Sequence, residues 1–128
     1  YRVMFEPFHS IKNDLLINWN YRQYIRSDEK KEKFLKPTSK IIRGGIRHSW
    51  VDQFNNKLFA TKRIIKDIRA NLFINWLKIN FPEIKIILLL RHPCASANSK
   101  LKLGWDTHLD DFLIQEKLIQ DYLLQVQL

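Results

Sequence analysis

Glu83-Ile84-Lys85-Ile86-Ile87-Leu88-Leu89-Leu90-Arg91-His92-Pro93-Cys94-Ala95-Ser96-Ala97-Asn98-Ser99 is the stretch on which the reading of this chain turns. It opens with an apolar run, β-branched at its start, in which no period-2 alternation survives over residues 86–90. A run of that kind predicts a strand buried on both faces, as inside a parallel sheet. Arg91 follows, then Pro93, which suits the first position of a helix because its missing N–H is no loss there. Ala95, Ser96, Ala97 and Ser99 continue as small residues. The expectation is strand, tight turn, helix. Ligands of open α/β sheets sit at the carboxyl ends of the strands, and a helix N-terminus there offers free N–H groups and a positive dipole end to an anion. Arg91 adds a forked cation suited to phosphate, and Ser99 a hydroxyl one to two turns into the helix. Read without these neighbours, the same residues are an arginine ending a buried strand and an ordinary helix start.

Outward from that stretch, the chain supplies a strand, a helix and turn signals. Residues 61–68 predict a second parallel strand, and residues 69–80 a helix with Leu72, Phe73, Trp76, Leu77 and Asn80 on one face. Phe81-Pro82 ends that helix, so strand, helix and strand make a βαβ unit. At the front, Tyr1-Arg2-Val3-Met4-Phe5 reads as a strand ended by Glu6-Pro7. A helix is expected over residues 11–25, and a charged, solvated connection or frayed helix end over residues 26–40. Gly44-Gly45 marks a turn, without the Lys-Ser/Thr of a Walker-type loop. Trp50, Val51, Phe54 and Leu58 recur at the spacing of a short amphipathic helix. Lys100, Lys102, Gly104 and Trp105 close the helix begun near Cys94. Thr107-x-x-Asp110 resembles a capping box, and Leu109, Phe112, Ile119, Leu123 and Val126 form a stripe read as core packing.

Several features carry a family resemblance. Arg91-x-Pro93-x-Ala95-x-x-x-Ser99 after an apolar strand is similar to the 3′-phosphate-binding segment of the sulfotransferases that use 3′-phosphoadenosine-5′-phosphosulfate (PAPS). Phe5-Glu6-Pro7-Phe8-His9 resembles their FEP-x-H segment. Ile65-Lys66-Asp67-Ile68-Arg69 followed by Phe81-Pro82-Glu83-Ile84-Lys85-Ile86-Ile87 resembles a K-x-x-R strand with the helix and strand after it. The resemblance spans most of residues 1–100. It implies an α/β fold of three layers, a mostly parallel sheet with flanking helices of the P-loop NTPase-like sulfotransferase type, present here in part. It implies Arg91 and Ser99 on the 3′-phosphate, PAPS as co-substrate, no metal, and a hydroxyl-bearing small molecule or glycan as acceptor. Glu6, His9 and Lys66 are the candidate catalytic residues. A carboxylate at a strand's carboxyl end can accept a hydroxyl proton, or it can cap the next helix or pair with a base. Lys66 and Arg69 reach cofactor or acceptor, or form a surface salt bridge.

The chain departs from the family's pattern at named places. Residues 1–128 hold no Gly-rich G-x-x-R/K-S/T-G-T-T loop, which in the family cradles the 5′-phosphosulfate. Position 92 is His where the family often has Asp or Asn, and position 94 is Cys where Arg is frequent. With Tyr1 standing directly in strand-like sequence, the expectation is a single partial sulfotransferase domain over residues 1–128.

Composition bounds the alternatives. With 22 Lys+Arg against 13 Asp+Glu, net +9 and pI about 9.8, the surface attracts anions, or carries charge for general solubility. The lone Cys94 excludes an internal disulfide. His9, His48, His92 and His108 show no paired metal spacing. No apolar run approaches a membrane span and no signal peptide opens the chain, so a cytoplasmic location is expected. Two rival readings stand beside the sulfotransferase: a P-loop-type nucleotide-binding kinase relative, dependent on Mg²⁺, and a non-catalytic basic module binding anions or nucleic acid. The scattered basic residues and the lack of a reader motif count against nucleic acid as partner.

Overall fold

The computed structural model describes residues 1–55, 60–105 and 109–124. Its framework is α/β. Strand β1 (Arg2–Phe5) pairs in parallel with β2 (Arg63–Lys66), with Arg2 opposite Arg63 and Phe5 opposite Lys66. The connection between them carries helix α1 (Glu32–Ile42). After β2 come a 3₁₀ turn (Ala70–Phe73) and α2 (Ile74–Asn80). Then follow α3 (Pro93–Lys102), the short α4 (Asp110–Leu113), and α5 (Glu116–Leu118) running into a π-helical turn (Ile119–Leu123).

The two strands form where β-branched and aromatic residues allow a pleated, half-buried surface. Parallel pairing needs a long crossover, and α1 provides it. The second edge of β1 is closed by a turn rather than a strand. Phe5 N–H donates to Val51 O (2.9 Å) and Val3 N–H to Asn55 Oδ1 (2.8 Å), while Asn55 Nδ2 donates back to Val3 O (2.6 Å). Arg2 is buried and its guanidinium grips both oxygens of Asp52 (2.7 and 2.9 Å). Residues 48–55 are thereby clamped along β1.

The core gathers Met4, Phe8, Leu16, Trp19, Phe34, Ile41, Val51, Phe73, Trp76 and Leu77 around an aromatic stack. Phe8 meets Phe73 edge-on at 5.1 Å, Trp19 meets Phe34 at 5.2 Å, and Phe34 meets Trp76 at 6.4 Å. Phe73, Trp76 and Leu77 are buried from the face predicted for the helix after β2.

Five expectations are corrected. Residues 86–90 are not a strand: they pair with nothing among the described residues, and Ile87, Leu89 and Leu90 are 85%, 88% and 85% exposed. The composition fits a doubly covered strand, but strand structure needs a neighbouring edge, and none is offered. Hence the second half of the βαβ unit is missing. Residues 11–25 are turns around one 3₁₀ turn (Asp14–Leu16), because Asn13 diverts the backbone: its Oδ1 accepts Leu15 N–H (3.2 Å) and its Nδ2 donates to Pro7 O (2.7 Å). The stretch expected as a solvated connection or frayed helix end holds most of an ordered helix, α1, with Phe34, Thr38 and Ile41 buried on one face. Trp50, Val51 and Phe54 lie in turns rather than a helix, and Leu58 lies outside the described residues. The stripe from Leu109 is broken at Gln115, which leaves the helical region. Leu109 and Leu123 are exposed, so the stripe is not core packing; Thr107 and Val126 lie outside the described residues.

The turn at Gly44 (φ 74°) and the start of α3 at Pro93 agree with their sequence signals, as does Gly104 (φ 63°) past the end of α3.

Candidate functional site

The carboxyl ends of β1 and β2 bring together three buried polar residues, Glu6, His9 and Arg69. Glu6 leaves β1 at φ 41°, a left-handed conformation that non-glycine residues rarely adopt. Three bonds hold it there. Its N–H donates to Lys66 O (2.7 Å), its carbonyl accepts His9 N–H (3.1 Å), and its Oε2 meets Arg69 Nη1 at 2.7 Å. Both ion-pair partners are buried. Oε1 has no hydrogen-bond partner among the described residues, and it is not among the buried atoms sealed without a partner. Backbone held in a sparsely populated conformation by its surroundings is a feature that clusters at functional sites.

Arg69 is fixed from three sides. Beyond Glu6, its Nη2 donates to Tyr21 Oη, and its guanidinium carbon stands 4.5 Å from the Tyr21 ring centre. Burial works against its charge, but Tyr21 and Glu6 outweigh burial and hold it above the ordinary arginine value. Asp67 braces the same corner. Its Oδ2 accepts Phe8 N–H (2.9 Å), and its Oδ1 accepts the N–H groups of Arg69 (2.7 Å) and Ala70 (3.1 Å). The carboxylate so caps the 3₁₀ turn and ties the exit of β2 to the exit of β1. Burial raises its pKa from 3.8 to about 6, against the opposing pull of those backbone donors.

His9 is buried beside this pair. Its ring meets Tyr21 edge-on at 5.1 Å and Trp50 edge-on at 5.6 Å. Burial first, then the Arg69 charge, push its pKa below 6.5, so the imidazole is neutral at neutral pH. His9 Nδ1, Trp50 Nε1 and Arg69 Nε are all buried without a hydrogen-bond partner. Lys66 is exposed, its Nζ 5.3 Å from the centre of the Phe5 ring.

The remaining predicted residues lie apart from this cluster in contact terms. Arg91 is exposed and makes no hydrogen bond or ion pair among the described residues. It stands two residues ahead of α3, whose N-cap is His92, with Nδ1 accepting Cys94 N–H at 3.3 Å. Ser99 is half-buried within α3. No hydrogen bond, ion pair or ring contact among the described residues joins Arg91 or Ser99 to Glu6, His9 or Lys66. Among the described residues no group of three or more His, Cys, Asp or Glu is arranged to hold a metal ion, and no helix is long and apolar enough to cross a membrane.

Sequence reasoning missed Tyr21 and Asp67 as parts of the cluster. Asp67 carried a usable signal, an Asp just ahead of a helix start at a strand's end. Tyr21 carried none, because its place depends on the fold of the turns around it. Set against protein-family models, curated proteins and solved structures, the chain has no significant match.

Proposed function

We propose that this chain carries the acceptor side and the 3′-phosphate side of a PAPS-dependent sulfotransferase that moves a sulfuryl group to a hydroxyl, on a three-layer P-loop-like scaffold of which the parallel pair β1–β2 is a part. The observation that carries the reading is Glu6: a carboxylate at the end of a parallel strand, one oxygen pinned by Arg69 and the other unpartnered. That arrangement orients a proton acceptor without consuming it. The reading requires a 5′-phosphosulfate loop from outside residues 1–128.

In the proposed reaction the acceptor oxygen attacks sulfur in line. The new O–S bond forms as the bond from sulfur to the phosphate oxygen breaks, and adenosine 3′,5′-bisphosphate leaves. The acceptor proton passes to Glu6 Oε1 and then to solvent. His9 is the poorer candidate for that step, since burial and then the Arg69 charge lower its affinity for a proton. Positioning and charge stabilisation are asked of the protein, as in phosphoryl transfer. Lys66, exposed at the end of β2, whose carbonyl accepts Glu6 N–H, is the candidate cation for the developing charge. Arg91 and Ser99 hold the 3′-phosphate, which takes the place of the His92 imidazole on the Cys94 N–H. PAPS supplies the sulfuryl group and its leaving phosphate.

The test is calorimetry of adenosine 3′,5′-bisphosphate on the full-length protein. Arg91→Ala should weaken binding at least about tenfold, the scale of a lost charge-assisted contact, with melting unchanged. Undiminished binding by that variant, or absence of binding by the wild type, overturns the assignment.

A further inference from the structure

A cleft of about 510 Å³ opens where residues 24–28 meet the π-helical turn after α5; Tyr24, Arg26, Ser27, Asp28, Asp121 and Tyr122 line it. Its size is that of a small-molecule site. Both walls are fixed. Asp121 accepts Arg26 Nε (2.7 Å) and Nη2 (2.6 Å) on its two oxygens, and Tyr24 Oη (2.8 Å) as well. Tyr24 N–H donates to Gln115 Oε1 (2.6 Å), and Glu29 N–H donates to Arg26 O (3.1 Å), closing the turn behind Ser27 and Asp28. Glu29 O accepts Trp76 Nε1 (2.6 Å), which ties that turn to the core, while Lys117 Nζ reaches Glu29 Oε2 (2.7 Å) from α5. The cleft is therefore formed before any ligand enters it.

Charge and ring chemistry narrow the ligand. The Arg26–Asp121 pair cancels within the lining, and an anion would have to take Arg26 from a carboxylate that holds two of its nitrogens. Asp28 is exposed and makes no hydrogen bond or ion pair among the described residues. It is the uncancelled charge of the lining, and it is negative on a chain of net +9. Tyr24 and Tyr122 meet edge-on, with ring centres 5.8 Å apart. Elsewhere the chain covers tyrosine rings with its own cations: Lys62 Nζ is 5.8 Å from the centre of Tyr1, and the Arg69 guanidinium carbon 4.5 Å from that of Tyr21. Among the described residues no cation stands over Tyr24 or Tyr122. Two open tyrosine rings beside a free carboxylate attract an organic cation, through the ring quadrupole and through charge. Methyl groups on its nitrogen add apolar contact with the rings and remove the strong hydration of a bare ammonium.

We infer that this cleft binds a small methylated ammonium ion, its methyl groups on the Tyr24 and Tyr122 rings and its charge beside Asp28. The inference is independent of the sulfuryl-transfer reading, since the lining includes none of Glu6, Lys66, Arg91 and Ser99. The test titrates tetramethylammonium, and tert-butanol as a neutral molecule of similar size, into the full-length protein by NMR. The cation should bind about tenfold tighter than the alcohol, the combined worth of ring and carboxylate. Its methyl protons should move upfield, as protons over an aromatic face do, and its advantage should shrink as NaCl screens Asp28. Asp28→Asn should weaken the cation about threefold, the scale of an exposed ion pair, and leave the alcohol unchanged. Tyr122→Leu should abolish the upfield shift. Both side chains are exposed, so melting should stay in place in each variant. Equal affinity for cation and alcohol, or undiminished cation binding by Asp28→Asn, overturns the inference. So do amide shifts confined to residues outside 24–28 and 119–123, or tighter binding of inorganic phosphate at those same amides.

Discussion

At the scale of single residues, the Glu6–Arg69 pair and Asp67 make opposite demands. A buried ion pair is destabilised strongly when one partner is removed, because the other charge is left without compensation. Glu6→Gln keeps an acceptor for Arg69 but loses the charge. It should lower stability by roughly 3 kcal/mol at most, the low end for a broken buried pair, and, on the proposed reaction, sulfuryl transfer by about 10²–10⁴-fold, the usual worth of a general base. Adenosine 3′,5′-bisphosphate binding should stay unchanged; an equal loss of binding and turnover would make Glu6 structural only. Asp67 is different, since burial raises its pKa from 3.8 to about 6. Between those values the folded state binds the proton that the unfolded state has released, so this group's contribution to stability falls as pH rises through the window. Two pKa units correspond to roughly 3 kcal/mol. Chemical denaturation from pH 4 to 6 should show wild type losing stability relative to Asp67→Asn as pH rises; parallel curves would refute it. Glu6 was legible in the sequence from its place after a strand and before Pro7. The partner that holds it was not, because Arg69 reaches it across 63 positions, a distance only the fold closes.

At the scale of elements, β1, β2 and α2 were legible because local pattern and tertiary demand agree. Helix α1 was not, since Pro37 lies inside it. A proline there lacks the N–H that would bond the carbonyl four residues back, which belongs to Lys33. The structure answers that deficit from elsewhere: Trp19 Nε1 donates to Lys33 O at 3.1 Å. The indole, edge-on to Phe34 in the core, takes the place of the missing helical bond and lets the helix run through. Pro37→Ala restores a backbone donor, which then competes with Trp19 for one carbonyl. In a double-mutant cycle, Trp19→Phe should therefore cost about 1 kcal/mol more in the wild type than in the Pro37→Ala background, the net worth of one hydrogen bond. A coupling near zero would mean that Trp19 acts through packing alone. Residues 11–25 failed for the reverse reason. Their apolar residues fit a helix, but Asn13 offers the backbone bonds that compete with it.

At the scale of the whole molecule, apolar surface is unevenly distributed. The core draws on residues 4–77, and residues 85–113 add no buried side chain among those described. The chain's end returns to the body only later. Gln115 accepts Tyr24 N–H (2.6 Å) and donates to Arg22 O (2.7 Å), while Asp121 pairs with Arg26 and accepts from Tyr24 Oη (2.8 Å). Between the core and those anchors stands the run 86–90, outside any helix or strand, with Ile87, Leu88, Leu89 and Leu90 exposed. Its composition is that of a covered strand; what sequence alone does not carry is the cover. An extended apolar run with unpaired backbone groups is a template for strand pairing between copies. Lys85 and Arg91 flank it, and net +9 repels like copies, yet charge repulsion is screened within about 10 Å at 0.1 M salt. This chain should therefore associate more as salt rises, the reverse of an assembly built on ion pairs. Leu89→Lys places a charge at the most exposed position of the run, a device by which natural edges resist pairing. Light scattering across a salt series should show association suppressed in that variant, with the melting temperature unmoved because Leu89 lies outside the core. Association that is equal in both proteins, or that weakens with salt, would place the contact elsewhere on the surface.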